Sequence, residues 1–190
     1  MVLPERTGDE IGQLTHSFNT MAAQLKERVH LRQSLELAKE VQQNLLPEKI
    51  PEVSGLDIAG TSMYCDETGG DYYDFIKIDS NYIGFIIADV SGKSIPGSMV
   101  MTMTRSMIRM EALRNLSPSK MFTEVNKILA QDIARGMFVT AMYGVLSIST
   151  GEIWISSAGH NPAILADGKH KHILINPKGM ALGLDKGSIF

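Results

Sequence analysis

The chain has 190 residues, enough for one globular domain with some additional length, and 44% hydrophobic against 21% charged residues supports a packed core. The formal net charge is −3 at pH 7 and no strongly basic block is present, which argues against non-specific nucleic-acid binding. A single cysteine excludes an internal disulfide, and no apolar run reaches the roughly 18 residues that a membrane span needs.

The first segment, from about Glu5 to Leu46, is predicted to be one long helix. An apolar seam with spacings of three and four residues runs along it, formed by Ile11, Leu14, Phe18, Met21 and Leu25. A narrow seam opposite a long polar face favours pairing with a second helix. The pattern breaks after Leu25, resumes at Leu31 and is interrupted again by the polar Gln42. We therefore predict a homodimer through this helix; a lone amphipathic helix packed on its own domain is the alternative.

Short apolar and alternating runs predict the elements of a globular part from Leu56 to about Ile175. Strands are predicted at 56–64, 71–79, 82–90, 138–148, 152–158 and 162–166. Two helices interrupt them, one from Ser94 to about Arg114 and one from Ser117 to Gly136 with proline in its first turn. Strands on both sides of a helical pair predict an α+β architecture, with antiparallel sheets and helices segregated on a face.

The predicted hairpin of 71–79 and 82–90 carries a carboxylate at each end, Asp71 at its start and Asp89 near its finish. If the hairpin folds about residue 80, residues whose numbers sum to 160 face each other, so Asp71 lies opposite Asp89 with Cβ atoms about 4.5–5.5 Å apart. Like charges so placed destabilise a sheet unless a cation, a shared proton or full solvation offsets the repulsion. A divalent cation that binds carboxylate oxygens makes the pair half of a Mg²⁺ or Mn²⁺ site. Exposed strand-end aspartates without a ligand are the alternative.

Other polar residues near the hairpin leave more than one interpretation open. Asp74 falls on the opposite strand face from Asp71 and is either a supporting carboxylate of the site or a structural one. His160, in "SAGHNP", either polarises or protonates a group near neutral pH or is hydrogen-bonded within its own turn. The segment "SGKS" at 91–94 does not form a phosphate-binding loop, because that motif requires glycine at position 87 and the residue is Ile87.

Six motifs between residues 40 and 184 occur in the order seen in SpoIIE-type (stage II sporulation protein E) serine phosphatases, a branch of the metal-dependent PPM phosphatases. They are "LLPEKIPEVSGLDIAG", "GGDYYDF", "IADVSGKSIPGSMVMTMTR", "FVTAMYGVL", "SSAGHNPAIL" and "GMALGL". The head of the chain, "RTGDEIGQLTHSFNTMAAQLKE", resembles the second half of a HAMP signalling domain. On this resemblance we divide the chain into the C-terminal part of a HAMP domain (1–28), a linker or dimerisation helix (29–50) and a PPM-type phosphatase domain (51–190).

The resemblance implies the PPM β-sandwich flanked by helices. It implies metal-dependent hydrolysis of phosphoserine or phosphothreonine on a partner protein, typically a phosphorylated STAS-type anti-sigma factor antagonist. Asp71 matches the first metal aspartate of the family, Asp89 the second, and Val90 the position that contributes a backbone carbonyl. Two Mn²⁺ or Mg²⁺ ions would hold a bridging water for in-line attack, with no covalent enzyme intermediate. Candidates for residues that support these ligands without binding the ions are Gly70, Asp74, Gly92 and His160.

The family pattern continues past Phe190 into a "TDG"-type strand and a last aspartate. We therefore expect a C-terminally truncated domain that holds one side of a two-metal site and has little activity by itself. The competing hypothesis is a non-catalytic dimerisation and signal-relay module that retains the phosphatase fold. The HAMP resemblance also implies that the chain is a cytoplasmic portion of an inner-membrane receptor whose membrane spans lie upstream.

Overall fold

A computed structural model describes residues 3–4, 8–63, 69–92, 94–168 and 171–190, the side chain of Ser94 excepted. Two compact units make up the chain, Met1–Val41 and Gln42–Phe190. Among the described residues, no helix combines the length and the apolar character that crossing a lipid bilayer requires.

The first unit consists mainly of a long helix, α1, which spans Glu10–Gln43 and ends just inside the second unit. Asp9 begins the helix, because its Oδ1 accepts a hydrogen bond from the backbone N–H of Gly12 at 3.2 Å. The five seam residues at positions 11, 14, 18, 21 and 25 are between 48% and 66% exposed on the single chain. The predicted helix is thus confirmed over Glu10–Gln43, while positions 5–7 of the prediction lie outside the described residues. The apolar seam of the helix is open to solvent in one copy of the chain.

The second unit contains six strands and two helices among its described residues. The strands are β1 (Tyr72–Lys77), β2 (Tyr82–Val90), β3 (Val139–Ser147), β4 (Ile153–Ala158), β5 (Ala163–Ala166) and β6 (His172–Ile175). The helices are α2 (Ser94–Ala112) and α3 (Pro118–Asp132). Strands β1-β2-β3-β4 form one antiparallel sheet in chain order, and β5-β6 form a separate antiparallel pair. The predicted α+β class is confirmed.

The strand predicted at 56–64 is wrong over its described residues, 56–63, where the only backbone pairing is a single bridge between Val53 and Leu56. This segment contacts β1 through side chains instead. A Cβ at Gly60 would lie 2.7 Å from the ring of Tyr73, and the Tyr73 hydroxyl donates to the Gly60 carbonyl at 3.4 Å. The segment is therefore held against β1 by side-chain contacts and not by backbone pairing. The short strand β6 was not predicted.

The register of the first hairpin agrees with the sequence prediction. Tyr72 pairs with Ala88 and Phe75 with Phe85, so paired residue numbers sum to 160. The turn is tightened by Asp79, whose Oδ1 accepts hydrogen bonds from the backbone N–H groups two and three residues later, at 2.7 and 2.9 Å. Extending the ladder by one residue beyond Tyr72 places Asp71 opposite Asp89.

Helices α2 and α3 pack against the four-stranded sheet and form the core with it. Helix α3 begins as predicted, with Ser117 as N-cap and Pro118 in the first turn. Its buried apolar stripe consists of Met121, Phe122, Val125 and Leu129. The ring of Phe122 meets that of Tyr143 on β3 edge to face, with centroids 6.2 Å apart. Burial of each such side chain stabilises the fold by about 1.5–3 kcal/mol.

Asp74 lies on the helix-facing side of β1, where it is 2% exposed. Its carboxylate accepts hydrogen bonds from the Tyr72 hydroxyl at 2.8 Å, from the Phe75 backbone N–H at 2.9 Å and from the Arg109 guanidinium at 2.5 Å. Burial, and then the charge of Asp74, raise the pKa of Tyr72. These contacts attach β1 to α2 and satisfy a carboxylate that would otherwise be costly to bury.

We predict that Asp74→Ala lowers the free energy of unfolding by about 1–3 kcal/mol, because it leaves a buried tyrosine hydroxyl and a guanidinium without their acceptor. Urea denaturation measures the change. The matched control is Asp132→Ala, which removes an exposed carboxylate from the last turn of α3 and should cost little. Equal stability of the Asp74 variant and the wild type would contradict the structural role of this carboxylate.

Candidate metal centre

Asp71 and Asp89 lie together at the open end of the β1–β2 hairpin. Asp71 directly precedes β1, and Asp89 is the second-last residue of β2. Both residues are exposed to solvent, yet the two carboxyl groups are close enough for the charge of Asp71 to affect Asp89. Partial burial, followed by the negative charge of Asp71, raises the pKa of Asp89. The structure therefore places two mutually repelling carboxylates side by side.

The backbone next to these carboxylates is closely packed. The Val90 N–H donates to the Gly70 carbonyl at 3.3 Å. A Cβ on residue 70 would lie 2.6 Å from the Val90 carbonyl oxygen, so only glycine fits there without displacing the chain. Asp71 follows Gly70 and Asp89 precedes Val90, so this contact keeps the backbones of the two aspartates next to each other. The Val90 carbonyl, predicted as a metal ligand, thus lies beside the segment that carries Asp71.

Gly92 belongs to the connection between β2 and α2. Its φ of 106° is in the region that favours glycine. A Cβ at Gly97 would come within 2.6 Å of the Gly92 carbonyl oxygen, so the loop and the first turn of α2 approach each other closely. Ser91 connects the same loop to the residue before β3, because its N–H donates to the Phe138 carbonyl at 2.9 Å and its Oγ accepts from the Phe138 N–H at 2.7 Å. The positive φ of Gly92 thus allows the backbone to turn from the end of β2 towards α2.

His160 is half-buried and faces the same region. Its Nδ1 is 2.9 Å from the Thr140 hydroxyl, and its backbone N–H donates to Ser157 Oγ at 3.3 Å. The ring is therefore held by a neighbouring strand and not by its own turn. Burial lowers the pKa of His160, and the charges of Asp89 and Asp71 partly offset this effect.

A cavity of about 300 Å³ joins these groups. Its polar lining includes Asp71, Asp89, His160 and Asn161, and the remaining lining comes from residues 61–63, 72–73 and 87–88. The structure thus brings together Asp71, Asp89 and His160, three of the residues that the sequence singled out. Asp74 does not line this cavity, and its described contacts are those to Tyr72, Phe75 and Arg109.

Thr140 and Asn161 were missed by the sequence prediction. Thr140 pairs directly with Asp89 across β2 and β3, and its hydroxyl contacts both the Asp89 carbonyl, at 3.4 Å, and His160. The position of Thr140 follows only from the register between β2 and β3. The sequence does not reveal that register, because two helices lie between these strands in the chain. Asn161 follows His160 in the predicted turn "SAGHNP", so it could have been predicted from its position next to the histidine.

The donor groups of this site fit a hard divalent cation. Two carboxylates and a nearby backbone carbonyl supply oxygen atoms, which Mg²⁺ and Mn²⁺ prefer. A cation between the carboxylates would also neutralise their repulsion. Within the described ranges, no cluster of three or more His, Cys, Asp or Glu side chains is arranged to hold a metal ion. Among the described residues, this site therefore contains two carboxylate donors, Asp71 and Asp89.

Two models of known protein families match the chain. The model of stage II sporulation protein E (SpoIIE) matches residues 79–190, and the HAMP domain model matches residues 2–27. Both families agree with the resemblances seen in the sequence motifs.

Several curated proteins are similar to the chain. It is 31% identical over 157 residues to phosphoserine phosphatase RsbU of Bacillus subtilis, covering 82% of this chain and 47% of that protein. It is 26% identical to phosphoserine phosphatase RsbP of the same organism, covering 83% of this chain and 40% of that protein. Protein IcfG of Synechocystis is 26% identical, with 96% and 34% covered. The chain therefore spans less than half the length of these relatives.

Solved structures resemble the fold. The SiaA-PP2C domain of Pseudomonas aeruginosa has a TM-score of 0.66 at 16% identity, covering 83% of this chain and 64% of that one. The RsbU and RsbW domains of Rv1364c from Mycobacterium tuberculosis have a TM-score of 0.58 at 22% identity, covering 67% and 36%. At these identities the likeness shows the fold alone.

We predict that Asp89→Asn stabilises the metal-free protein at pH 7. Because folding raises the pKa of Asp89, the folded state binds more protons than the unfolded state just above the ordinary carboxyl pKa, so stability falls as pH rises through that window. The amide removes this penalty. Thermal unfolding in EDTA should show a higher midpoint for the variant at pH 7 and a smaller difference at about pH 4, near the ordinary aspartate pKa.

Asp132→Asn is the control, since it changes an exposed carboxylate on α3 in the same way. If Asp89→Asn lowered the midpoint in EDTA at pH 7, the inferred repulsion between Asp71 and Asp89 would be contradicted.

Proposed function

The chain belongs to the SpoIIE family, and from this premise we propose that residues 51–190 form a metal-dependent protein serine/threonine phosphatase domain. The observation that carries the proposal is the pair of adjacent carboxylates, Asp71 and Asp89, in a cavity that also contains His160. A site with concentrated negative charge and oxygen donors suits a divalent cation that in turn binds a phosphate group. Two relatives of the chain are named phosphoserine phosphatases.

Asp71, Asp89 and the Val90 carbonyl are the groups we propose as ligands of Mn²⁺ or Mg²⁺, with two ions in a complete domain. When bound, such ions supply an activated water nucleophile and neutralise charge on the phosphoryl group. The residues of the chain orient the reactants. We propose that the Thr140 hydroxyl donates to His160 Nδ1. The proton of the neutral ring is then on Nε2, which donates a hydrogen bond to a phosphoryl oxygen.

The proposed substrate is phosphoserine on a partner protein. Support comes from the names of the two phosphoserine phosphatases that the chain resembles and from the solvent exposure of both carboxylates, which a protein-borne phosphate could reach. Within the SpoIIE family the expected partner is a phosphorylated STAS-type anti-sigma factor antagonist. We propose this class for the present chain.

A second candidate function is a non-catalytic dimerisation and signal-relay module with the phosphatase fold. One observation favours it: the described residues bring two carboxylates together and no larger cluster of metal-binding side chains. Asp71 and Asp89 would then be held together without turnover. Phosphatase activity and metal binding distinguish the two candidates.

The N-terminal unit supports a signalling role. Residues 2–27 match the HAMP model, and the seam of α1 is exposed on the single chain. An exposed apolar seam with coiled-coil spacing is satisfied by a second copy of the same helix. We propose that residues 1–28 are the C-terminal part of a HAMP domain, that 29–50 link it to the phosphatase domain, and that α1 pairs in a homodimer. The proposed location is the cytoplasmic side of an inner-membrane receptor.

We predict that the full-length product of the gene hydrolyses p-nitrophenyl phosphate and a phosphoserine peptide with Mn²⁺, and that EDTA abolishes the activity. Asp71→Asn and Asp89→Asn should each lower the rate about 100-fold or more, because metal ions contribute several kcal/mol to transition-state stabilisation. Asp132→Asn should leave it unchanged. Activity that survives Asp89→Asn would refute the proposed site.

We predict that Leu14→Glu converts a dimeric chain to a monomer, because it places a charge in the apolar seam of the helix pair. Sedimentation velocity measures the change. The control is Gln13→Glu, which introduces the same side chain at the preceding exposed position outside the seam. A wild-type chain that sediments as a monomer at high concentration would exclude the proposed helix pair.

A further inference from the structure

Gln42, in the last turn of α1 and within the second unit, makes a contact that neither the motifs nor the proposed metal ligands explain. Its side chain is 4% exposed. Its Nε2 donates to the Gly69 carbonyl at 2.5 Å, and its Oε1 accepts from the Gly69 N–H at 3.3 Å. One amide group therefore satisfies both backbone polar groups of Gly69, two residues before Asp71.

Gly69 lies where β1 has not yet begun, since the ladder with β2 starts at Tyr72. In the register of the hairpin, Gly69 lies opposite Ser91. Because Gly70 and Val90 are hydrogen-bonded to each other, the backbone groups of Gly69 and Ser91 point away from each other. Ser91 bonds to Phe138 through its backbone N–H and its hydroxyl, whereas the backbone groups of Gly69 face the outer side of β1, the first strand of the sheet. The Gln42 amide takes the place of the missing strand, because a primary amide carries the same donor and acceptor as a peptide group.

Gly70, the residue after Gly69, is held by Val90 of β2. Gly70 accepts a hydrogen bond from the Val90 N–H, and its α-carbon packs against the Val90 carbonyl with no space for a side chain. The segment that leads into Asp71 is thus held by Gln42 at one residue and by Val90 of β2 at the next. Two adjacent carboxylates repel each other, so an unanchored segment would relieve the repulsion by carrying Asp71 away from Asp89.

We propose that Gln42 is a positioning residue for divalent-cation binding. Its amide holds Gly69, and through it Asp71, at the place where both carboxylates can bind one cation. This inference rests on the proposed metal site at Asp71 and Asp89 and extends it to a residue that touches neither carboxylate. Residues that orient metal ligands through hydrogen bonds commonly change metal affinity about 10–100-fold when replaced.

The chain offers a matched control, because Gln43 is adjacent, of the same type and exposed. Gln42→Met keeps the length of the side chain and removes both hydrogen bonds, while Gln43→Met makes the same change at the surface. Mn²⁺ affinity, measured by electron paramagnetic resonance of free Mn²⁺ with the full-length protein, should fall about 10-fold or more for Gln42→Met and stay unchanged for Gln43→Met. Amide exchange should accelerate at Gly69 only in the former.

Two further measurements separate positioning from stability. Saturating Mn²⁺ should restore most of the phosphatase rate of Gln42→Met, because the machinery itself is intact. Gln42→Asn retains the amide but is one methylene shorter, so it should weaken Mn²⁺ binding with less disturbance of packing. It serves as the deciding variant if Gln42→Met does not fold cooperatively.

The outcomes are distinct. If the wild type binds Mn²⁺, Asp89→Asn does not, and both Gln42 variants bind as tightly as the wild type, the metal site stands and the role of Gln42 is overturned. If the wild type itself does not bind Mn²⁺, the proposed function and this inference both fail. Weakened binding in both Gln42 variants, with Gln43→Met unaffected, supports the positioning role.

Discussion

The backbone register of β1 and β2 forces Asp71 and Asp89 together, and their mutual repulsion is the constraint that the surrounding structure has to withstand. The pairing of Tyr72 with Ala88, continued by one residue, places the two carboxylates opposite each other at this end of the hairpin. Their proximity raises the pKa of Asp89. Such an arrangement costs stability in the metal-free protein and provides a preorganised place for a cation. If the proposed metal site is correct, a bound cation would offset this cost.

Backbone anchors, more than side-chain packing, hold this arrangement. Gly70 allows the chain to lie against Val90, and Gln42 binds both polar groups of Gly69. Asn126 does the same at another point: its buried amide donates to the Asp185 carbonyl and accepts from the Gly183 N–H, both at 2.8 Å. Side-chain amides thus substitute for strand pairing where irregular segments meet the sheet, which satisfies their backbone groups without extending it.

The hairpin could be predicted from the sequence because its turn is short and its apolar pattern is regular. Once the turn is placed at residue 80, every pair of facing residues on β1 and β2 follows, since their numbers sum to 160. The position of Thr140 could not be predicted, since it depends on how β3 meets β2 after two helices. The segment 56–63 has a weak alternation that predicts a strand, but Gly60 in this segment instead lies against the rings of Tyr73 and Phe75 on β1. Gln42 was visible only as a polar interruption in an apolar helical pattern. Its role depends on the fold, which brings Gln42 next to Gly69, 27 positions away in the sequence.

Anomalous diffraction from crystals of the full-length protein grown with Mn²⁺ tests the central claim most directly, because it locates the ion without reference to activity. The arrangement of Asp71 and Asp89 predicts an anomalous peak about 2.0–2.6 Å from oxygens of both carboxylates, with the Val90 carbonyl beside it. Clear density for both carboxylates at saturating Mn²⁺, with no anomalous peak between them, would contradict the proposed metal centre and favour a module that retains the fold without the chemistry.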